Sequence, residues 1–355
     1  MGHPSQGLSG RLTALDWKQL NRAVLARQML LERSRLPLHR VVERMAGVQA
    51  QYAPSAYIGL SSRTEGFTRD TLSSALMRRS VIQATLMRGT IHLVSRADYW
   101  PMAAAIRARM REWWLRLQGS GVSAEDMAEL ARGLRSELAD GPRKRNDLVS
   151  ALGIDSTLWS GVGSWVDMVR IPPSGTWESR RADLYGLAES WVGPESANPG
   201  GGVDLLIRRY LAGFGPASRD DIKAFTSLSL ATIDESLQRL SVRRFTDCDG
   251  GALFDVRGAP LPDRDTPAPV RFLGTWDAIL LVHARRASIL PEEYRTRIFH
   301  TKAPHSFNTF LVDGQVTGTW REQDGRIELE PFQPIPGRFR YELDEERERL
   351  EALFE

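Results

Sequence analysis

One pattern constrains this chain more than any other: a run of short helices closed by a β-hairpin occurs three times along it. In the first copy, residues 15–33 ("LDWKQLNRAVLARQMLLER") set Leu20, Val24, Leu25 and Met29 at helical spacing. Residues 37–50 predict a second helix with Pro37 at its start, and residues 68–79 a third with Thr68 as N-cap. Next, "VIQATLMRGTIHLVS", residues 81–95, is β-branched on both sides of Arg88-Gly89 and predicts a hairpin. The second copy has helices over 97–118 and 123–139, the latter capped by Ser123. Two short helices follow in "GPRKRNDLVSALG" and "STLWSGVGSWVDMVRI", then a second hairpin in "GTWESRRADLYGLAE". A Pro/Gly-rich linker, residues 193–202, precedes the third copy, in which Ser218 and Asp221 form a helix-capping pair and Asp249-Gly250 turns a hairpin. Three helices followed by a hairpin is the order of a winged helix.

Beyond residue 268 the texture changes. "RFLGTWDAILLVHARR", "HSFNTFLVDGQVTGTWRE" and "GRIELEPF" are strand-like, with Asp313-Gly314 and Asp324-Gly325 as turns. From about 340 an acidic helix is expected, with i,i+4 Glu–Arg pairs on its surface. The expected class is therefore α+β, with three tandem winged-helix motifs and a C-terminal β-rich module. The expected division is a disordered leader over 1–13, winged helices over 14–100, 101–192 and 200–258, and the β-rich module over 268–355.

Composition narrows the function mostly by exclusion. The 355 residues are 42% hydrophobic and 26% charged, as in globular proteins, and contain no apolar run long enough to span a bilayer, which takes about 18 residues. The start "MGHPSQGLSG" lacks an apolar signal core, so a cytoplasmic location is expected. Cys248 is the one cysteine, which excludes an internal disulfide and a multi-cysteine zinc site. The net charge of +3 conceals an acidic end, "YELDEERERLEALFE", set against arginine clusters elsewhere. Arginine pairs with phosphate through two parallel hydrogen bonds, so nucleic acid is a candidate partner; a GC-rich coding sequence gives the same excess. There is no GxGxxG after a strand, Walker loop, HExxH or GxSxG, and the six histidines offer no metal-binding spacing. No metal and no organic cofactor is expected.

Against that background "MAGVQAQYAPSAYIGLSSR" stands out, with Gln49 and Gln51 flanking Ala50. Read alone, the pair is a solvated helix end. In context, the segment resembles the Gln-x-Gln region of the AlkZ/YcaQ-type winged-helix DNA glycosylases. "LMRGTIHLV" resembles that family's R-G-T-x-H-L hairpin, and "FGPASRDDIKAFTSLS" its third helix-turn-helix. "TWDAILLVHARRASILPEEYRTRIF" and "FLVDGQVTGTWR" resemble its C-terminal module, so the likeness runs over most of residues 14–330. The resemblance implies a concave DNA channel between the winged helices. It implies excision of N7-alkylated purines, including unhooking of interstrand crosslinks, with Gln49 and Gln51 as the catalytic pair. The Gln-x-Gln form resembles the branch linked to self-resistance against bifunctional alkylating antibiotics of the azinomycin class. The implied partner is double-stranded DNA carrying alkylpurine or crosslink lesions, bound by a monomer.

Two uncharged residues are compatible with that chemistry. An N7-alkylguanine is already a cation and leaves as a neutral base, so no general acid is required. A glutamine carbonyl can accept from and orient a water, and its dipole can face a developing oxocarbenium. The motif matches carry Arg63, Arg88, Thr90, His92, Asp277, Arg285 and Arg286 over as DNA-contacting residues, with Lys302 and His305 in a loop that either probes the duplex or is an ordinary polar turn. His92 is open between meeting a phosphate, orienting Gln49 and a structural role. Asp277 is open between holding an arginine and facing the channel. Trp113, Trp114, Trp159 and Trp165 read as core rather than stacking platforms, and the 143–145 run as a solvated helix start. No lysine at the motif suggests a lyase step. The competing class is a winged-helix transcription regulator that binds DNA without catalysis.

Overall fold

The computed structural model describes residues 12–299 and 306–355. Residues 1–11 of the expected leader, with Lys302 and His305, lie outside the described residues. The chain opens with β1 (Ala14–Leu15) and α1 (Trp17–Arg27), whose start is a reciprocal capping box between Asp16 and Gln19. The periodic stretch to residue 33 is not all helix: Met29 takes a positive φ of 56°, and the turn buries Met29 and Leu30. Helix α2 (Leu38–Arg44) starts after Pro37 as expected and stops six residues short of expectation, because Ala46 and Gly47 adopt left-handed φ of 59° and 89°. The chain leaves it directly into β2 (Val48–Gln49), then α3 (Ala53–Ser61) with Pro54 in its first turn. Helix α3, buried from Ala53 to Leu60, has no counterpart in the sequence reading. Next come α4 (Arg69–Met77), capped by Thr68, and the antiparallel hairpin of β3 (Val81–Thr85) and β4 (Ile91–Ser95).

Helix α5 (Arg96–Gln118) leads to α6 (Ala124–Glu137), where Ser123 and Asp126 cap each other. Then follow β5 (Arg143–Lys144), α7 (Arg145–Leu152), α8 (Ser156–Val162), β6 (Met168–Arg170), β7 (Leu184–Leu187) and the one-turn α9 (Ala188–Trp191). The second hairpin thus begins at Met168, within a stretch expected to be helical. The two hairpins are not separate: Gln83 pairs with Arg170 and Ala84 with Val169, giving one six-stranded sheet in the order β2-β4-β3-β6-β7-β5.

Helix α10 (Pro199–Phe214) absorbs the end of the expected linker, with Asn198 accepting from Gly201 N–H as its cap. It lies along α5 so closely that a Cβ on Gly202 would sit 2.2 Å from the Pro101 carbonyl. α11 (Arg219–Thr226), capped through Ser218 and Asp221, and α12 (Leu230–Arg239) precede the hairpin of β8 (Val242–Asp247) and β9 (Ala252–Val256). β1 adds to β8 in parallel.

The last module is a four-stranded antiparallel sheet of β10 (Arg271–Leu273), β11 (Asn308–Val312), β12 (Gln315–Gln323) and β13 (Arg326–Pro331), with the short helix α13 (Arg295–Ile298) before β11. "TWDAILLVHARR" is not a strand but a chain of 3-10 turns through Ala278–Leu280, Val282–Ala284 and Arg286–Ser288. Helix α14 (Arg340–Glu351) is the expected acidic helix, yet it buries Leu343, Glu346 and Leu350 and pairs Glu346 with Arg33 and Arg271. Its own surface pairs run i,i+3, as in Asp344–Arg347 at 3.0 Å, rather than i,i+4.

Candidate active site

The early stop of α2 is what presents the glutamines. Gly47 must be glycine: its φ is 89°, and a Cβ there would stand 3.2 Å from Val94 and 3.3 Å from the Leu93 carbonyl. The chain then runs as an edge strand on β4, with Gln49 opposite His92. Ala50 N–H donates to the Ile91 carbonyl at 2.8 Å, so the extended form continues past β2. In extended chain, residues two apart point to one side. Gln49 is half-buried and Gln51 exposed.

Both side-chain carbonyls are held. Gln51 Oε1 accepts from Ile91 N–H at 3.1 Å, so the side chain extends the strand ladder. Gln49 Oε1 accepts from Arg88 Nη2 at 3.0 Å. A carbonyl oxygen has two acceptor positions, so each keeps one for a water. Arg88 sits at the hairpin tip with a left-handed backbone (φ 57°, ψ 18°). Its other nitrogen donates to the Phe225 carbonyl at 3.0 Å, and its guanidinium lies 5.2 Å over the Phe225 ring. These hydrogen-bond partners are neutral oxygens, and burial lowers its pKa to about 10, so it remains a cation at neutral pH.

His92 is not a phosphate contact here. It is buried, its Nδ1–H donates to the Thr90 carbonyl at 3.0 Å, and burial, with the nearby Arg88 charge, lowers its pKa to about 3. A neutral ring in the strand opposite Gln49 fixes the motif's backbone. Thr90 Oγ1 donates to the Met87 carbonyl at 3.1 Å and closes the hairpin tip.

Arg63 and Asp277 are corrected as DNA contacts. Arg63 is fully buried and pairs with Asp277 through two hydrogen bonds, 2.8 and 2.9 Å long, while also donating to the Gly59 carbonyl. Of the two readings left open for Asp277, it holds an arginine, and the pair fastens the end of α3 to the C-terminal module. Arg285 is already shared between Asp221 of α11 at 3.5 Å and Asp247 of β8 at 3.1 Å. Arg286 is half-buried with its guanidinium 5.5 Å over Phe299. Among the tryptophans, Trp114 is buried and Trp159 and Trp165 pack partly buried in the same cluster, whereas Trp113 is 45% exposed.

Comparison with known proteins gives the family. The sequence profile of the AlkZ-like DNA glycosylases matches residues 42–353. This chain belongs to the AlkZ-like DNA glycosylase family. It is 25% identical over 351 residues to the interstrand DNA cross-link repair glycosylase of Streptomyces sahachiroi, covering 89% of this chain and 91% of that protein. Its fold matches the solved structure of the Streptomyces sahachiroi DNA glycosylase AlkZ with a TM-score of 0.79 at 20% identity, over 96% of this chain and 97% of that one. Membership makes the chain an enzyme that acts on a glycosidic bond in DNA. The Gln-x-Gln segment lies inside the matched range.

Around the motif of this AlkZ-like glycosylase the sequence reading missed three participants. Phe225, from α11, seats Arg88. Tyr52, 46% exposed beside Gln51, receives a hydrogen bond from Arg180 at 3.2 Å. Arg180 belonged to a visible arginine cluster, but nothing local tied it to residue 52. His283 is buried against Phe214 and Phe225, and burial, with Arg88 and His92, holds it neutral. Among the described residues no cluster of His, Cys, Asp and Glu could hold a metal, and no helix is long and apolar enough to cross a membrane.

Proposed function

We propose that the chain is a monofunctional DNA glycosylase that hydrolyses the N-glycosidic bond of N7-alkylated purines and unhooks interstrand crosslinks. The observation that carries this reading is the pair of glutamine carbonyls anchored at an open strand edge, with a half-buried arginine that has no carboxylate partner beside one of them. Gln49 and Gln51 hold the attacking water through their free acceptor positions. Their dipoles face the sugar as it acquires positive charge. The alkylated base departs without needing a proton. Arg88 alone would repel a cationic transition state, so its partner in the complex is a backbone phosphate, which a half-buried guanidinium without a carboxylate is suited to receive. The three helix–hairpin segments act as winged helices that hold the duplex around the motif. With no lysine at the motif, the sugar–phosphate backbone stays intact.

The name of the Streptomyces sahachiroi relative supports crosslinks as substrates. The Gln-x-Gln form of the motif suggests self-resistance to a DNA-crosslinking antibiotic as the role. An unhooking assay tests the reading. A duplex joined by an N7-guanine interstrand crosslink is incubated with the protein and resolved on a denaturing gel. Separation into single strands bearing abasic sites supports the glycosylase. An unchanged crosslink, with protection of one unmodified DNA sequence in a footprint, supports the regulator instead.

A further inference from the structure

The strand pair that presents the glutamines is entered and left at one end. Its antiparallel register sets Val48 opposite Leu93 and Gln49 opposite His92. The turn that brings α2 into β2 therefore lies beside the point where β4 passes into α5. Each side of that junction carries a buried carboxylate. Glu43 is in the last turn of α2, and its backbone carbonyl accepts from Ala46 N–H at 3.2 Å in the turn that stops the helix. Asp98 is in the first turn of α5, and its N–H donates at 3.1 Å to Oγ of Ser95, the last residue of β4. Both side chains are 3% exposed.

One guanidinium serves both. Arg209 Nη2 lies 3.0 Å from Glu43 Oε2 and donates to Asp98 Oδ1 at 3.0 Å, with Nε 2.9 Å from Asp98 Oδ2. Glu43 also pairs with Arg40 of its own helix, at 2.8 Å, but that contact ties α2 to nothing else. One turn beyond Arg209, Gly213 comes so near the end of α2 that a Cβ there would be 2.8 Å from the Arg44 carbonyl. Residues four apart share a helix face. Helix α10 thus grips the last turn of α2 at two points, one ionic and one steric. Through Arg209 alone the same face also reaches the start of α5.

We propose that Arg209 is a positioning residue: by holding Glu43 against Asp98 it sets how β2 meets β4, and with that the aim of the Gln49 and Gln51 carbonyls. Its effect on excision rests on the glycosylase reading; the clamp itself does not. The case for it is that both chain segments leading to the pair Gln49–His92 are fixed by one side chain from a third element, and that carboxylates this buried tolerate the loss of a partner poorly. A displacement of about 1 Å at a reacting group costs on the order of 10²-fold in rate.

The test uses Arg209→Met, which keeps much of the stem and removes the charge. Amide hydrogen exchange reads the strand pair directly, because Ala50 N–H donates to the Ile91 carbonyl and Ile91 N–H to Gln51. Exchange should quicken at these two amides while the rest of the fold stays protected as in wild type. Single-turnover release of N7-methylguanine at saturating protein should fall by about 10–10²-fold with duplex affinity unchanged. Arg209→Lys should recover part of the rate, since an ammonium reaches one carboxylate but cannot fork across both. If Arg209→Met does not fold, Glu43→Gln carries the test, with the same two amides expected to respond. Unchanged exchange at Ala50 and Ile91, or exchange that rises uniformly over the fold, overturns the proposal. Weaker binding to lesion and control duplexes alike would make Arg209 a phosphate contact and overturn it too. A wild type that releases no base sinks the glycosylase reading, and the exchange pattern still reports on the clamp.

Discussion

Gln49 and Arg88 form the most informative contact at the scale of single residues. Alanine at either Gln49 or Gln51 should lower single-turnover release of an N7-alkylguanine by about 10²–10³-fold, the effect of losing one preorganised polar contact, with DNA affinity retained. Arg88→Ala should act differently. It should weaken binding to lesion and control duplexes alike and reduce the log–log salt slope by roughly 0.9, one phosphate's share, in a titration against salt. The histidines next to the motif carry no charge at working pH. His92 falls from 6.5 to about 3, so the excision rate should show no histidine inflection between pH 5 and 8. Folding depresses the basicity of His92. The stabilisation from the neutral His92 ring is complete above about pH 6.5 and is lost as pH falls toward 3, which thermal melts across that window will show.

The site depends on a few connections between elements. Gly47 turns α2 into β2 at a φ few side chains adopt, so Gly47→Ala should destabilise the fold by about 1–3 kcal/mol and displace the glutamines with it. Chemical denaturation and excision measured together should show activity falling more than stability. The Arg63–Asp277 pair is an equally sharp case. Removing one partner leaves a buried charge uncompensated, and Asp277→Ala should cost about 3–5 kcal/mol. This is a structural role that the motif match alone misassigned as DNA contact. The elements legible in the sequence were those written locally. The caps at Ser123 and Ser218, the Arg88-Gly89 hairpin and the Asp-Gly turns of the last sheet each depend on a few adjacent residues. The stop at Gly47 was also local, but the apolar spacing running through "RVVERMAGVQA" concealed it. Helix α3 escaped notice because it is buried nearly all round and has almost no polar face to mark a period.

For the whole molecule, the sequence read as successive modules, whereas the chain interleaves them. Two hairpins merge through β3 and β6 into one sheet, and β1 pairs with the hairpin of the third copy. The Arg63–Asp277 bond joins residues 214 positions apart. Pairings at such separation leave no local signature, and neither does the meeting of Arg88 with Phe225 that sets the site against α11. What the sequence did carry was the order of its motifs, which sufficed to identify the family and nominate Gln49 and Gln51. The central claim is that a neutral glutamine pair on a strand edge performs the hydrolysis. Single-turnover release of free N7-alkylguanine from a defined duplex, by wild type and by Gln49→Ala and Gln51→Ala at saturating protein, tests it most directly. Rapid release by wild type with loss of at least about 10²-fold in both variants is the result expected. Release at undiminished rate in either variant would contradict the claim and move the chemistry elsewhere in the fold.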